Sequence, residues 1–418
     1  MLTRPTARQP IARAFDVERI RGDFPILYRE VHGKPLVYLD NASSAQKPKP
    51  VIEAMDHALR YEYANVHRGI HYLSNTATQR YEDAREAVRR FLNAPSAEEI
   101  IFTKNVTEAV NLVAYAWGME HIVEGDEIVL SVMEHHSNIV PWHFLRERKG
   151  AVLKWVPVAA DGSLSLEAIE RALTPRTKLI ALTHMSNVIG TVTPVREVAA
   201  LARARGIESF IDGAQAVVHM PVDVQDLGCD FYAFTGHKVY GPTGIGVLWG
   251  SRAWLDKLPP FLGGGSMIES VTQERITYGV TPNRYEAGTP PIVEAIGLGA
   301  AVDYMMQIGR EEIAAHEAHL SAYAHARIAE LDFVRVYGTA ADKGAILSFN
   351  VDGLHPHDVS MVVDRSGVAI RAGHHCAQPL MEHYGVPAMC RASFALYNTT
   401  AEVDALIEAL KKAHDLFA

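Results

Sequence analysis

At residues 230–238 the chain reads Asp230-Phe-Tyr-Ala-Phe-Thr-Gly-His-Lys238, and it continues as Val-Tyr-Gly-Pro-Thr-Gly-Ile-Gly246. An apolar, aromatic run that stops at Thr-Gly-His-Lys predicts a buried strand that delivers one lysine to a strand end. Ligands of open α/β sheets bind at the carboxyl ends of strands. Burial there would lower the pKa of Lys238, and such a lysine can form a Schiff base with a carbonyl cofactor. A surface lysine at a turn is the alternative.

A second strand end carries a carboxylate. Residues 208–215 read Glu208-Ser-Phe-Ile-Asp212-Gly-Ala-Gln215, and Asp212 precedes Lys238 by 26 positions. Pyridoxal phosphate requires a carboxylate against its ring nitrogen and a lysine for its aldehyde. Asp212 and Lys238 supply both, and Gln215 is placed to reach the ring hydroxyl. Taken singly, Asp212 could be a helix N-cap and Gln215 a solvated polar residue.

Strands alternate with helices over residues 100–250, which predicts a parallel α/β sheet. Thr107 lies at the start of a predicted helix, where free N–H groups bind phosphate, although plain helix capping would also explain it. His135 follows another strand and could lie flat on a cofactor ring. Asn187 follows a third strand and could donate to a ring oxygen or to a substrate carboxylate.

Three loops carry further candidates. The strand at residues 36–39 ends in Asp40-Asn41-Ala42, which suits an active-site edge, although a simple Asx turn is the alternative. The polar, positively charged loop at residues 65–71 contains His67 and could face an anionic substrate or an opposing subunit. Thr289 precedes a predicted helix at residues 292–307 and could supply a second phosphate contact.

From about residue 310 the pattern changes to helices followed by short strands, which predicts a smaller α+β domain. Within it, Arg371-Ala-Gly-His374-His375-Cys376-Ala predicts a mobile loop with a thiol beside two imidazoles. Imidazolium neighbours favour thiolate, the reactive form. A small buried apolar residue is the alternative for Cys376. Arg391 has the fork that holds an α-carboxylate by two hydrogen bonds.

The composition excludes several classes of protein. The 418 residues allow two domains, and a formal charge of −9 argues against a nucleic-acid partner. No apolar run approaches ~20 residues, so we expect no transmembrane helix and no membrane partner. Three cysteines without close spacing predict no disulfide framework and no cysteine metal site, and they suit a reducing, cytoplasmic location. We expect residues 1–14 to be a disordered tail.

The assembled motifs resemble a known family. Asp-Gly-Ala-Gln, Thr-Gly-His-Lys, Ala-Gly-Thr-Pro and Arg-Ala-Gly-His-His-Cys-Ala-Gln-Pro look like the group II cysteine desulfurases of the aminotransferase class V family. The run Met-Glu-His-His-Ser-Asn-Ile-Val-Pro-Trp is most similar to the SufS type. The resemblance extends from about Phe15 to the end of the chain. Thr235 stands where many of these relatives carry Ser, and either hydroxyl can donate to phosphate.

The resemblance implies a homodimer of fold-type I enzymes that depend on pyridoxal 5'-phosphate, with a large, mostly parallel-sheet domain and a smaller α+β domain. The implied division is an N-terminal segment joining the small domain (1–30), the cofactor domain (31–300) and the small domain with the catalytic cysteine (301–418). The implied reaction converts L-cysteine to L-alanine with a persulfide on Cys376, for transfer to a SufE- or SufU-type acceptor and to iron–sulfur cluster assembly.

The resemblance also implies a role for each site residue. Lys238 would bind the cofactor aldehyde and move protons, and Cys376 would attack the substrate sulfur. The implied cofactor contacts are Asp212 with the ring nitrogen, Gln215 with the ring hydroxyl, His135 stacked on the ring, and Thr107, Thr235, His237 and the second subunit's Thr289 with the phosphate. Asn187 and Arg391 would hold the substrate carboxylate, and His67 and Arg371 match active-site positions with less defined roles.

Three alternatives remain open at the level of sequence. The first is a related enzyme with a different substrate: a selenocysteine lyase, a cysteine-sulfinate desulfinase or a kynureninase-like hydrolase. The second is a metal hydrolase that uses the pairs His135-His136 and His374-His375. The third is a non-enzymatic scaffold, against which the presence of Lys238 with Asp212 and Cys376 argues.

Overall fold

The computed structural model describes residues 15–417, so the tail predicted at residues 1–14 lies outside the described part of the chain. The strands are β1 (Glu30–Val31), β2 (Lys34–Pro35), β3 (Val37–Tyr38), β4 (Ile100–Thr103), β5 (Glu127–Ser131), β6 (Val152–Val156), β7 (Thr177–Thr183), β8 (Glu208–Asp212), β9 (Phe231–Thr235), β10 (Gly246–Gly250), β11 (Ile268–Val271), β12 (Ile276–Tyr278), β13 (Val334–Tyr337), β14 (Ile346–Val351), β15 (Val368–Ala369), β16 (Arg371–Gly373) and β17 (Met389–Ser393).

The helices are α1 (Val17–Arg21), α2 (Lys49–His57), α3 (Tyr72–Leu92), α4 (Val106–Val113), α5 (Met119–His121), α6 (Val140–Lys149), α7 (Leu166–Ala172), α8 (Val195–Ala204), α9 (Ala216–His219), α10 (Val224–Leu227), α11 (Arg252–Leu255), α12 (Ile292–Ile308), α13 (Arg310–Ile328), α14 (Pro356–Arg365), α15 (Gln378–Tyr384) and α16 (Thr400–Phe417). Shorter helical turns lie at Pro25–Tyr28, Ala58–Glu62, Ala97–Glu99, Ala114–Gly118, His136–Asn138 and Asn283–Tyr285.

The large sheet has the strand order β4-β10-β9-β8-β7-β5-β6. Strands β5 to β9 pair in parallel, and β10 runs antiparallel between β9 and β4. Apart from the edge strand β6, these strands are almost wholly buried because helices cover both faces, as parallel sheets require. One apolar cluster on this sheet is built with α3 and α12, and another with α4 and α6. The predicted parallel α/β sheet is therefore confirmed.

The C-terminal part of the chain forms a second, antiparallel sheet in the order β13-β14-β17-β16. Its apolar core includes residues of α13, α14 and α16. Strand β3 crosses to this side, where it pairs in parallel with β15, and Asp40 forms an isolated parallel bridge with Ser393. Residues 40–47, which follow β3, are thereby carried along the cleft between the two sheets.

The first helix of the described residues is short. Helix α1 ends at Arg21, and a separate turn begins at Pro25. Proline lacks the N–H that a continuing helix needs and disfavours helical geometry in the preceding residue, here Phe24, whose φ and ψ are −108° and 91°. The helix predicted at residues 292–307 is confirmed, since α12 covers those residues.

The described residues of the N-terminal segment touch both parts of the chain. The Arg21 guanidinium donates to the Tyr397 carbonyl at 2.6 Å and pairs with Glu402 at 3.0 Å. Phe24, in contrast, packs against the rings of Tyr240 and Tyr304. The boundary expected at residue 300 falls inside α12, so it marks no break in secondary structure. The division into domains stays a prediction.

Between residues 15 and 417, no single helix is both long and apolar enough to cross a membrane. Helices α12 and α13 meet that test only as a pair, and the pair is bent by 78°.

Candidate active site

A cavity of about 560 Å³ opens at the carboxyl ends of the parallel strands, which is where the sequence pattern predicted a site. Strands β7, β8 and β9 end at this edge and lead to Asn187, Asp212 and Lys238. The opposite wall comes from β16, the loop after it, and β17. The lining includes Ala42, Ser43, Asn105, Thr107, His135, Ser137, Asn187, Asp212, Gln215, Thr235, His237, Lys238, His357, Arg371, His374, His375, Cys376 and Arg391.

Lys238 reaches the cavity from the turn after β9. Desolvation lowers the pKa of its amine to about 8; the Asp212 carboxylate opposes this shift and the Arg391 charge adds to it. The predicted effect of burial on this lysine is confirmed. A substantial fraction of its amine is therefore neutral, and hence nucleophilic, near pH 8.

Asp212 lies beneath the cavity with only 3% of its surface exposed. One carboxylate oxygen accepts from the Ala214 N–H at 3.0 Å, and the N-cap of the next helix is Gln215, so Asp212 is not a cap. Desolvation raises its pKa, while the Ala214 N–H and the Lys238 charge oppose the rise. Within residues 15–417 it joins no salt bridge, which leaves this buried carboxylate suited to a cationic ligand atom.

Gln215 is buried as well, so it is not a solvated polar residue. Its side-chain Nε2 donates to the Ala42 carbonyl at 2.8 Å, which brings residues 40–47 against this wall. A primary amide has two N–H groups, and the second one can serve a ligand oxygen.

The start of α4 forms one end of the cavity. Asn105 is the N-cap and accepts from the Glu108 N–H, so Thr107 is not needed as the cap. A Cβ at Gly246 would come within 2.5 Å of Asn105 Cα, so glycine is required for this close approach to β10. The Thr107 hydroxyl lies 2.7 Å from the Ser137 hydroxyl.

These residues fit an anionic phosphate group. The Thr235 hydroxyl is buried, lines the cavity and has no hydrogen-bond partner within residues 15–417. Such a group costs free energy unless a ligand accepts its hydrogen bond. Together with His237, the Thr107 hydroxyl and the N-terminus of α4, it forms the kind of site that binds phosphate.

His135 lines the cavity between Ser137 and His136. Its Nδ1 lies 3.0 Å from the Ser137 hydroxyl. Desolvation lowers the pKa of His135 to about 3, with further lowering by the Lys238 and His136 charges, so the imidazole is neutral. Within the described residues, no group of three or more His, Cys, Asp and Glu side chains is arranged to hold a metal ion.

Cys376 is exposed at the cavity, whereas Cys229 and Cys390 are buried. His375 and Cys376 have φ angles of 51° and 56°, a left-handed conformation that non-glycine residues adopt only when their surroundings hold it. The surroundings are visible: Asn187 Nδ2 donates to the His375 carbonyl at 2.8 Å, and the His136 N–H donates to the Cys376 carbonyl at 2.7 Å. These two hydrogen bonds hold the loop that carries Cys376, and its mobility stays a prediction.

The structure corrects the prediction that His375 is an imidazolium neighbour of Cys376. Desolvation lowers the pKa of His375 to about 3 and the Arg391 charge lowers it further, whereas the hydrogen bond of its Nε2 with the Met389 carbonyl, at 3.0 Å, opposes the shift. His375 is therefore neutral. The cations whose pKa values respond to the charge of Cys376 are Lys238, Arg371 and Arg391.

Arg391 is almost wholly buried on β17. Its Nη1 donates to the Asn187 carbonyl at 2.7 Å, and its Nη2 donates to the Ser43 hydroxyl at 2.7 Å. Its Nε–H is buried without a partner among the described residues, which leaves a donor for a ligand oxygen. The Asn187 amide is engaged with the Cys376 loop, so Asn187 orients that loop and Arg391 in addition to any contact with substrate.

Two predicted site residues lie elsewhere in this chain. The His67 ring pairs with Glu82 at 2.8 Å, and Thr289 is exposed beside Pro290 in a different surface groove. Neither lines this cavity. The other eleven are brought together there: Thr107, His135, Asn187, Asp212, Gln215, Thr235, His237, Lys238, Arg371, Cys376 and Arg391.

The sequence reasoning missed Ser43, Ser137 and the full part played by Asp40. Asp40 was noted only as a strand-end residue, with an Asx turn as its alternative. In the structure its carboxylate accepts from Arg371 at 2.9 Å and faces Arg391 at 3.3 Å. The sequence did carry a signal for Asp40, because an acidic residue at a strand end is a frequent active-site position. Its two arginine partners could not be predicted, since they lie more than 300 positions away in sequence.

Comparison with known proteins identifies the family. The aminotransferase class-V model matches residues 37–406. The chain therefore belongs to the aminotransferase class-V family, whose members share the fold-type I architecture seen here.

Several relatives carry a more specific name. The chain is 52% identical to a cysteine desulfurase of Salmonella agona over 403 residues, covering 96% of this chain and 99% of that protein. It is similar in structure to the cysteine desulfurase CsdA (S-sulfonic acid) from Escherichia coli, with a TM-score of 0.90, 38% identity and coverage of 97% and 100%. The apo structure of a cysteine desulfurase from Thermococcus onnurineus NA1 gives a TM-score of 0.90 at 39% identity, covering 94% and 97%.

Proposed function

We propose that this protein is a cysteine desulfurase that depends on pyridoxal 5'-phosphate and converts L-cysteine to L-alanine, with the sulfur left as a persulfide on Cys376. One observation carries the proposal: Lys238, Asp212 and an exposed Cys376 line a single cavity. The names of the relatives, at 52% identity over nearly the whole chain, support the same reaction.

The cavity supplies a contact for each part of the cofactor. Lys238 would hold the aldehyde carbon, Asp212 the ring nitrogen and Gln215 the ring hydroxyl, and Thr107, Thr235 and His237 would hold the phosphate. When bound, the cofactor supplies an electron sink that makes the α-proton of an amino acid acidic and weakens the bond from its β-carbon to sulfur.

Side chains of this protein carry out the remaining steps. The neutral Lys238 amine takes up the α-proton and can return it. The Arg391 guanidinium binds the α-carboxylate through its free Nε–H. Cys376 Sγ forms a bond to the substrate sulfur as the bond from that sulfur to the β-carbon breaks. The β-carbon keeps the bonding electron pair and is protonated to the methyl group of alanine.

The exposure of Cys376 supports transfer of the sulfur to another molecule. A persulfide at the cavity mouth is accessible to an acceptor thiol, and we propose an acceptor protein of the SufE or SufU type and iron–sulfur cluster assembly as the destination. A cytoplasmic location is part of the same proposal, supported by three free cysteines. L-selenocysteine and L-cysteine sulfinate are the alternative substrates.

A homodimer also belongs to the proposal. His67 and Thr289 lie outside the cavity of their own chain and would reach the site of the second subunit. Apolar side chains near them in the sequence are exposed, among them Ile70 at 98%, Tyr72 at 80% and Val280 at 67% exposure. Such a surface is typical of a protein contact.

The test is the release of sulfide and alanine from L-cysteine by the purified protein with a thiol reductant, recorded beside its visible spectrum. We expect a yellow protein and equal amounts of the two products. Cys376→Ser should keep the yellow colour and its spectral change on adding L-cysteine, yet release no sulfide above background. A yellow wild type without products would contradict the desulfurase proposal, and L-selenocysteine and L-cysteine sulfinate would then be tried.

A further inference from the structure

Asp40 hydrogen-bonds both arginines of the cavity. Its carboxylate receives the Arg371 Nε–H at 3.1 Å and the Nη2–H at 2.9 Å, a two-bond contact. The Arg371 side chain is half exposed and has no other salt-bridge partner among the described residues, so Asp40 is what orients it. The Asp40 side chain is itself only 14% exposed.

Ser43 extends this contact to the second arginine. Its hydroxyl lies 2.7 Å from Asp40 Oδ1, to which it donates, and its lone pair accepts from Arg391 Nη2 at 2.7 Å. Asp40 thereby fixes the direction of the Ser43 hydroxyl. Because the Nη groups of Arg391 are held by Ser43 and the Asn187 carbonyl, its free Nε–H keeps one direction.

The charges also favour this arrangement. Two guanidinium groups close together repel each other, and here one of them is buried and the other half exposed. One carboxylate between them leaves a net charge of +1 for an anionic ligand. The segment of residues 40–47 is also anchored to the turn that carries Lys238. The Ala45 N–H and Lys47 Nζ both donate to the His237 carbonyl, at 3.1 and 3.0 Å. The carboxylate-binding side and the lysine-bearing turn are thus held by one stretch of chain.

We propose that Asp40 is a positioning residue that joins Arg371 and Arg391 into a single receptor for the α-carboxylate of an amino acid. The inference rests on the proposed function and adds to it a residue that sets the affinity for carboxylate ligands. Asp40 contacts the two arginines and is not itself a ligand of the substrate.

The experiment compares the binding of two ligands, L-alanine and L-alaninamide, to the holoenzyme. The two differ only in that L-alaninamide has a neutral amide where L-alanine has a carboxylate. Binding is read from the change that each ligand causes in the visible absorption band. In Asp40→Asn we expect the dissociation constant of L-alanine to rise about tenfold, the order expected for a lost hydrogen bond to a charged group. That of L-alaninamide should change by less than about twofold, because a neutral amide gains little from a guanidinium pair.

A double-mutant cycle tests the connection to Arg371. If Asp40 acts through that side chain, Asp40→Asn combined with Arg371→Gln should bind L-alanine no more weakly than the weaker single variant. Asp256→Asn is the matched control, because it removes the same charge next to α11, at the opposite end of β10 from the cavity. It should bind both ligands like the wild type.

Equal weakening of both ligands in Asp40→Asn, or unchanged L-alanine binding, would overturn the inference. Should Asp40→Asn fail to fold, Ser43→Ala is the second variant, because it keeps the charges of Asp40 and Arg391. It is expected to weaken L-alanine binding about threefold without affecting the binding of L-alaninamide. The titration needs no turnover, so wild type that binds L-alanine but releases no sulfide from L-cysteine would contradict the proposed function and leave this inference standing.

Discussion

Burial decides the protonation state of the residues around the cavity. Desolvation lowers the pKa of Lys238 to about 8 and that of His135 to about 3, and it raises the pKa of Glu134 to about 8. Each shift favours the uncharged form. The Glu134 carboxyl next to His135 accepts hydrogen bonds from Ser131 and Asn138, and at neutral pH burial keeps most of it protonated beside Asp212. Near pH 8 about half of the Lys238 amine and nearly all of the His135 imidazole are thus neutral.

The pKa of Lys238 predicts how fast the apoprotein takes up its cofactor. Only the neutral amine attacks an aldehyde, and the neutral fraction increases as the pH rises through the pKa. We expect the rate at which the visible band appears after adding pyridoxal 5'-phosphate to rise between pH 6.5 and 9 with a midpoint at about 8. Lys238→Ala should show no such band at any pH. A midpoint near the ordinary lysine value of 10.5 would contradict the effect of burial.

At the scale of elements, one buried ion pair ties helix α3 to the large sheet. Arg85 donates to both carboxylate oxygens of Glu286, at 2.7 and 2.9 Å, and to the Ile100 carbonyl at 2.7 Å. Glu286 also accepts from the Phe102 N–H at 2.7 Å. The pair therefore holds the first strand of the sheet, β4, and the segment that leads to Thr289.

Removing one member of this pair should destabilise the fold strongly. Arg85→Met leaves Glu286 buried without its cation, which costs about 3–5 kcal/mol in the free energy of unfolding. Arg90→Met on the same helix breaks an exposed pair with Asp303 and should cost less than about 1 kcal/mol. Urea unfolding of the two variants at one protein concentration measures the difference. Similar midpoints for both would show that the buried pair is not a major contributor.

At the scale of the whole molecule, the cavity is assembled from distant parts of the chain. The large sheet supplies Asp212 and Lys238, the smaller sheet supplies Arg391, and residues 40–47 pass between them. Thr289 lies outside this assembly in one chain and is exposed. In the proposed dimer, the second subunit would bring it to the phosphate.

The proposed dimer makes a prediction for Thr289. Sedimentation equilibrium should give twice the chain mass of 46.0 kDa. Thr289→Ala should remain dimeric and bind pyridoxal 5'-phosphate about tenfold more weakly, because one hydrogen bond to a charged phosphate is lost. Thr272→Ala is a control on the exposed loop between β11 and β12 and should bind the cofactor like the wild type. A fully active monomer, or unchanged affinity in Thr289→Ala, would contradict the shared site.

Much of the site was predictable because its key residues follow local patterns. Apolar strands that stop at Asp212 and at Lys238 predict a parallel sheet with both side chains at one edge, since strand direction alone sets that edge. The thiol in Gly-His-His-Cys was recognised from its neighbours in sequence. These features depend on periodicity and on short motifs, which are properties of the amino-acid order.

Only the tertiary structure decided how those residues are held and charged. The contacts of Asp40 with Arg371 and Arg391 join positions more than 300 residues apart, and no local pattern specifies such a contact. The neutral state of His375 follows from its burial and not from its place beside Cys376. The sequence by itself determined the strands, the polar residues that follow their carboxyl ends, and the candidate chemistry. The packing of distant segments decided charge, hydrogen bonding and access, because solvent exclusion depends on the folded surroundings.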